Sequence, residues 1–163
     1  MNKSKTLSLG QSSLWRVPVL CALLMLSGCT VKFISSYDEQ TDKSVTALQK
    51  KVETFFVKLE GLDGLPECTY DHHKTFYEEA RVEVSAIQVR AAAIPQNDIT
   101  TEQVGLLSKS LSSLEQLHQG KAKKEKGKNC LSREEVQPLR DNFNTSFTAI
   151  LKLELAKKRG ESK

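Results

Sequence analysis

Asp71, His72, His73, Glu78, Glu79 and Glu83 form the densest group of metal-ligating and proton-transferring side chains in the 163-residue chain. On a helix His72, Glu79 and Glu83 are spaced by seven and four residues and share one face, as a metal bound through nitrogen and carboxylate oxygen requires. Adjacent His72 and His73 point about 100° apart, however, so only one of them lies on that face. The plainer expectation is a solvated acidic first turn that complements the helix dipole. His72, Glu79 and Glu83 therefore stand as weak metal candidates, and no cofactor is expected. His118 is expected near a helix C-terminus, as a dipole partner.

A second kind of chemistry is electrostatic. The stretch 119–129 (QGKAKKEKGKN) carries Lys121, Lys123, Lys124, Lys126 and Lys128 and no large apolar residue, so it reads as a solvated loop. Such a loop either captures an acidic protein or anionic polymer or simply aids solubility. Catalytic motifs are missing: the sequence holds no Gly-x-Ser-x-Gly, His-Glu-x-x-His, Gly-x-x-x-x-Gly-Lys or Gly-x-Gly-x-x-Gly, and no Cys-x-x-Cys-His for haem attachment. The expectation is a protein that is not an enzyme.

The elements that carry these residues follow from apolar spacing. Val45, Leu48, Val52, Phe55 and Leu59 recur at steps of three and four, which predicts a helix over about Asp38 to Glu60. Gly61, Gly64 and Pro66 break it. Phe76, Ala80, Val84, Ile87, Ala91 and Ile94 predict a second helix from about Thr69 to Ala93, ended by Pro95 and Asn97. Val104, Leu107, Leu111, Leu114 and Leu117 mark a third, with Asp98 or Thr100 as its N-cap. Ser132-x-x-Glu135 resembles a capping box and opens a fourth through Leu139, Phe143, Phe147, Ile150, Leu153 and Ala156. Pro138 is expected either to kink that helix or to mark its true first residue. With no sustained period-two alternation, the chain reads as all-α, an antiparallel up-down-up-down four-helix bundle.

That topology places the starts of the second and fourth helices at one end of the bundle, and with them Cys68 and Cys130. In an oxidising compartment a Cys68–Cys130 disulfide is expected, worth roughly 4 kcal/mol in the chain-entropy model for a loop of about 60 residues. Without Cys-x-x-Cys spacing, a redox-active pair is not expected.

The compartment is read from the N-terminus. Lys3, Lys5 and Arg16 flank or precede a ten-residue apolar run, Val17 to Leu26, too short to span a bilayer. Leu26-Ser27-Gly28-Cys29 directly after it resembles the lipobox of bacterial lipoproteins. The resemblance implies cleavage before Cys29, lipidation of its sulfur and anchoring by more than one acyl chain. Thr30 follows where the family's inner-membrane retention signal would be aspartate, which implies the outer membrane, periplasmic face. Removing residues 1–28 leaves 135, with 21 basic and 20 acidic side chains and neither methionine nor tryptophan. This near-neutral balance argues against nucleic-acid binding, and the loss of Met1 and Met25 leaves no methionine to ligate a haem iron.

The expected organisation is a signal peptide at 1–28, a lipid anchor and tether at 29–37, a bundle at 38–158 and a tail at 159–163. In the tether, Phe33, Ile34 and Tyr37 either dip into the bilayer interface or staple the base of the bundle. Lys157, Lys158 and Arg159 are expected near the membrane, favourable to the last helical turn and within reach of anionic head groups. The function expected is a lipid-anchored, non-enzymatic binding or scaffolding component of the cell envelope, with an envelope protein or anionic polymer as partner. The alternative is a small-ligand or metal carrier using the acidic face around His72 and His73.

Overall fold

A computed structural model describes residues 34–124 and 130–161, without the side chains of 122–124. The signal segment, Cys29 and Phe33 lie outside the described residues, as do Lys126, Lys128 and the side chains of Lys123 and Lys124. Four helices make up the described chain: α1 (Glu39–Gly61), α2 (Tyr70–Ala93), α3 (Asp98–Lys124) and α4 (Arg133–Glu161). Each packs against its neighbour in sequence, and α1 also packs against α4, so the four close an up-down bundle. Among the described residues no helix is long and apolar enough to cross a membrane.

Local chemistry sets the boundaries. Asp38, in extended backbone, caps α1 by accepting from the Thr41 N–H (3.0 Å) and the Thr41 hydroxyl (2.6 Å). After α1 the chain turns through Gly64 at φ 78°, a left-handed conformation that glycine adopts without a Cβ clash, into a 3₁₀ turn at Pro66–Cys68. One arm of the expected capping box is present, with the Ser132 N–H donating to Glu135 Oε2 (3.0 Å), while the Glu135 N–H bonds the Ser132 carbonyl (3.0 Å). Pro138 is not the first residue of α4: the helix begins at Arg133, and Pro138 sits in its second turn. At the start of α3 neither Asp98 nor Thr100 holds the cap position. The Thr101 N–H bonds the Asn97 carbonyl (3.0 Å), which puts Asn97 there.

The core runs the length of the bundle, from Val45, Leu48, Val52, Phe55, Phe56 and Leu59 on α1 to Val136, Phe143, Phe147 and Ile150 on α4. Three predicted stripes depart from the buried face at one end. On α2 Tyr77 is fully buried while Phe76 is only partly so. On α3 His118 is buried and Leu117 is 41% exposed. On α4 Glu154 and Lys157 occupy the interior, where Leu153 and Ala156 were expected; Leu153 is half-buried and Ala156 exposed. The cause is helical geometry: at 3.6 residues per turn, alternating steps of three and four stay on one face, whereas two consecutive steps of three, as on α3 and α4, or of four, as on α2, drift off it.

Two further expectations are corrected. The solvated loop was drawn from Gln119, but α3 continues to Lys124, so Lys121, Lys123 and Lys124 belong to a helix. Likewise α4 runs to Glu161, past the boundary expected at 158.

Candidate functional site

Cys68 and Cys130 are joined by a disulfide, with Cα atoms 5.4 Å apart, at the end of the bundle where α2 and α4 begin. Beneath it lies a buried group of rings. His118, expected as a dipole partner near a helix C-terminus, is wholly enclosed, its Nε2 2.8 Å from the Cys68 carbonyl and its Nδ1 2.9 Å from the Tyr77 hydroxyl. A carbonyl only accepts, so Nε2 carries the hydrogen and Nδ1 accepts from Tyr77. Burial pushes His118 below the ordinary imidazole range, partly offset by the Cys68 carbonyl. Burial, with Glu115 and Tyr70 nearby, pushes the Tyr77 hydroxyl up.

Beside this pair, Tyr70 donates to Glu115 Oε1 (2.9 Å) and Arg81 bonds Glu115 Oε2 (2.9 Å), so the buried Glu115 is satisfied from two sides. His73 packs edge-on against Phe55 (centroids 5.4 Å apart) and 5.8 Å from His118. Its Nε2 is shielded from water and has no hydrogen-bond partner. Burial first, then the neighbouring His118 and His72, lower its affinity for a proton.

The acidic face does not converge. His72 Nδ1 lies 2.9 Å from the Thr69 hydroxyl, while Glu79 (2.9 Å) and Glu83 both bond Lys51 of α1. Among the described residues no three His, Cys, Asp or Glu side chains are grouped to hold a metal ion. Of the five lysines, Lys121 is half-buried and paired to Glu135 of α4 at 2.5 Å.

The opposite end carries a second polar group that the apolar stripes gave no reason to expect. All three ammonium protons of Lys157 are used, on Asn97 Oδ1 (2.6 Å), Thr100 Oγ1 (2.8 Å) and Glu154 Oε1 (2.6 Å). Thr100 donates onward to Glu154 Oε1 (3.0 Å), and Asn97 Nδ2 donates to the Ala91 carbonyl (2.9 Å). Lys157 thus points into the bundle, and head-group contact, one of the two roles expected of it, is not the one its ammonium plays here.

The segment before α1 is built into this network. The Ser35 hydroxyl donates to Asn97 Oδ1 (2.8 Å), and its N–H to the carbonyl of Gln96 (2.9 Å), a residue held at φ 59°. The Tyr37 N–H bonds Glu161 of α4 (2.7 Å), and Lys158 sits 5.0 Å from the Tyr37 ring centroid. A hydrogen bond to Asp42 pushes the Tyr37 hydroxyl up to about 12. Arg90 of α2 grips both oxygens of Asp38 (2.6 Å each) and is the main cause of its carboxyl lying well below the usual range. Of the two alternatives for Tyr37, stapling the base is therefore the one observed, while Ile34 remains 42% exposed.

Compared with protein-family models, with curated proteins and with solved structures, the chain matches none.

Proposed function

We propose that this chain is a lipoprotein whose Cys29 carries the anchor, and that its bundle is displayed on the periplasmic face of the outer membrane as a non-enzymatic binding or scaffolding component of the envelope. The observation that best supports the reading is the seating of residues 35–38 on the base of the bundle, through bonds to the α2–α3 turn, Arg90 and α4. Ser35 lies only six positions after Cys29, a reach of about 20 Å when extended. A bundle held that closely by its base would turn the base toward the bilayer, leaving the disulfide end roughly 35 Å away, the length of a helix of this size. Lys121 at that far end is engaged by Glu135, and the lysines that follow it in the sequence, Lys123, Lys124, Lys126 and Lys128, are the cations this reading assigns to an acidic protein or anionic polymer.

Growth with labelled palmitate, followed by membrane fractionation and intact-mass analysis, tests the anchor. The expected result is a lipid-modified chain beginning at Cys29 in the outer-membrane fraction and an unlabelled, unprocessed Cys29→Ser precursor. Normal maturation of Cys29→Ser would overturn the anchor. Crosslinking in membranes then tests the partner: adducts should be lost when Lys123, Lys124, Lys126 and Lys128 are together replaced by Gln. Adducts that persist in that variant would remove the lysines from the binding role.

A further inference from the structure

Between α1 and α2 a groove of about 380 Å³ opens on the surface, within the general size range of small-ligand clefts. Phe76, half-buried, lies in its wall, stacked flat on Phe55 with ring centroids 3.9 Å apart. Around this apolar wall the charges are unequal. Lys51 is held by both Glu79 and Glu83, a cluster of net −1, so with Lys50 and Lys58 three lysines stand against two glutamates and the surplus is a single positive charge. Lys50 and Lys58 line the same groove, are exposed, and have no ion-pair partner among the described residues. Lys58 and His73 are close enough for the lysine charge to disfavour the imidazolium, which marks this end of the groove as electropositive. His73 lines this end of the groove with its ring edge, while its Nε2 stays shielded from water.

We propose that the α1–α2 groove binds a small aromatic anion, its ring against Phe76 and its phosphate or carboxylate between Lys50, Lys58 and the His73 edge. The apolar wall explains why a ring is required, because Phe76 offers dispersion and stacking to a planar group and no hydrogen bond. The unpaired lysines explain why the ligand is negative: an anion gains two cations without displacing an acid already bound to them. This site is independent of the anchor, and it uses the basic α1 side of the groove instead of the acidic face around His72.

The test is a nuclear magnetic resonance titration of the full chain in neutral maltoside micelles, following the ring signals of His73 and Phe76 with phenyl phosphate as the probe. Saturable shifts of both rings are expected, with inorganic phosphate and phenol each binding at least about tenfold more weakly because each supplies only half of the contacts. Lys50→Gln and Lys58→Gln should each weaken phenyl phosphate about threefold, as expected for exposed charge contacts, while Lys109→Gln on α3 should leave it unchanged. Saturation should also raise the midpoint of His73 protonation, since a bound anion favours imidazolium. Because all three lysines are exposed, circular dichroism is expected to show the same helix content in each variant. Absence of saturable shifts, equal affinity for inorganic phosphate, or equal weakening by Lys109→Gln would overturn the proposal.

Discussion

The imidazole of His118 on α3 joins two other parts of the fold, accepting from the Tyr77 hydroxyl of α2 and donating to the carbonyl of Cys68, the residue bridged to Cys130. Replacing it by leucine keeps much of the volume but orphans a buried hydroxyl and carbonyl. His118→Leu should therefore cost about 2–4 kcal/mol, the penalty for two unsatisfied buried groups. Tyr77→Phe made in that background should cost less than it does alone. Urea denaturation of the four species measures the coupling, and additive losses would show that the two side chains do not share the interaction.

The same ring group sets a pH dependence. His118 and His73 both bind protons less readily in the folded chain than an ordinary imidazole near 6.5. Between their folded values and 6.5 the unfolded chain binds more protons, so stability rises with pH through that window. Stability should be fully present above about 6.5 and fall progressively below it, and His118→Leu should flatten the dependence. Thermal melts from pH 5 to pH 8 check this; a melting temperature rising toward pH 5 would contradict it.

At the other end, Glu154 and Lys157 form a buried ion pair, and neither has another ion-pair partner among the described residues. Glu154→Gln leaves the Lys157 ammonium uncompensated and should cost about 3–5 kcal/mol. Glu154→Leu combined with Lys157→Met should cost less than Glu154→Gln alone, since both desolvation penalties vanish together. Chemical denaturation of these two variants decides it.

Cys68 and Cys130 lie 62 residues apart, so their reduction releases a long loop in the unfolded state. Reduction should lower stability by about 4 kcal/mol and slow migration of the denatured chain on a non-reducing gel. Equal mobility before and after reduction would show that the bond is not formed.

The helices, the bundle and the disulfide were legible in the sequence because apolar spacing and topology determine them. The interiors of the two ends were not. Apolar stripes identify a buried face only where the buried residues are apolar, and at these ends the helical period places Tyr77, His118, Glu154 and Lys157 on that face. Strict alternation of three and four residues finds all four: 77, 80, 84, 87 and 91 on α2, 104, 107, 111, 114 and 118 on α3, and 147, 150, 154 and 157 on α4. Choosing the neighbouring Phe76, Leu117, Leu153 and Ala156 instead moved each stripe off by one residue. The partners of Lys157 were beyond sequence reading, since Asn97 and Thr100 reach it only through the fold.

The disulfide has a consequence for proteolysis. Its two cysteines enclose the whole of α2 and α3 in one covalent ring. A protease that cleaves after any lysine from Lys121 to Lys128 opens this ring without dividing the molecule, because the fragments on either side of the cut still share the Cys68–Cys130 bond. A nicked chain would run as a single species until reduced, with α4 still joined to α1 through that bond.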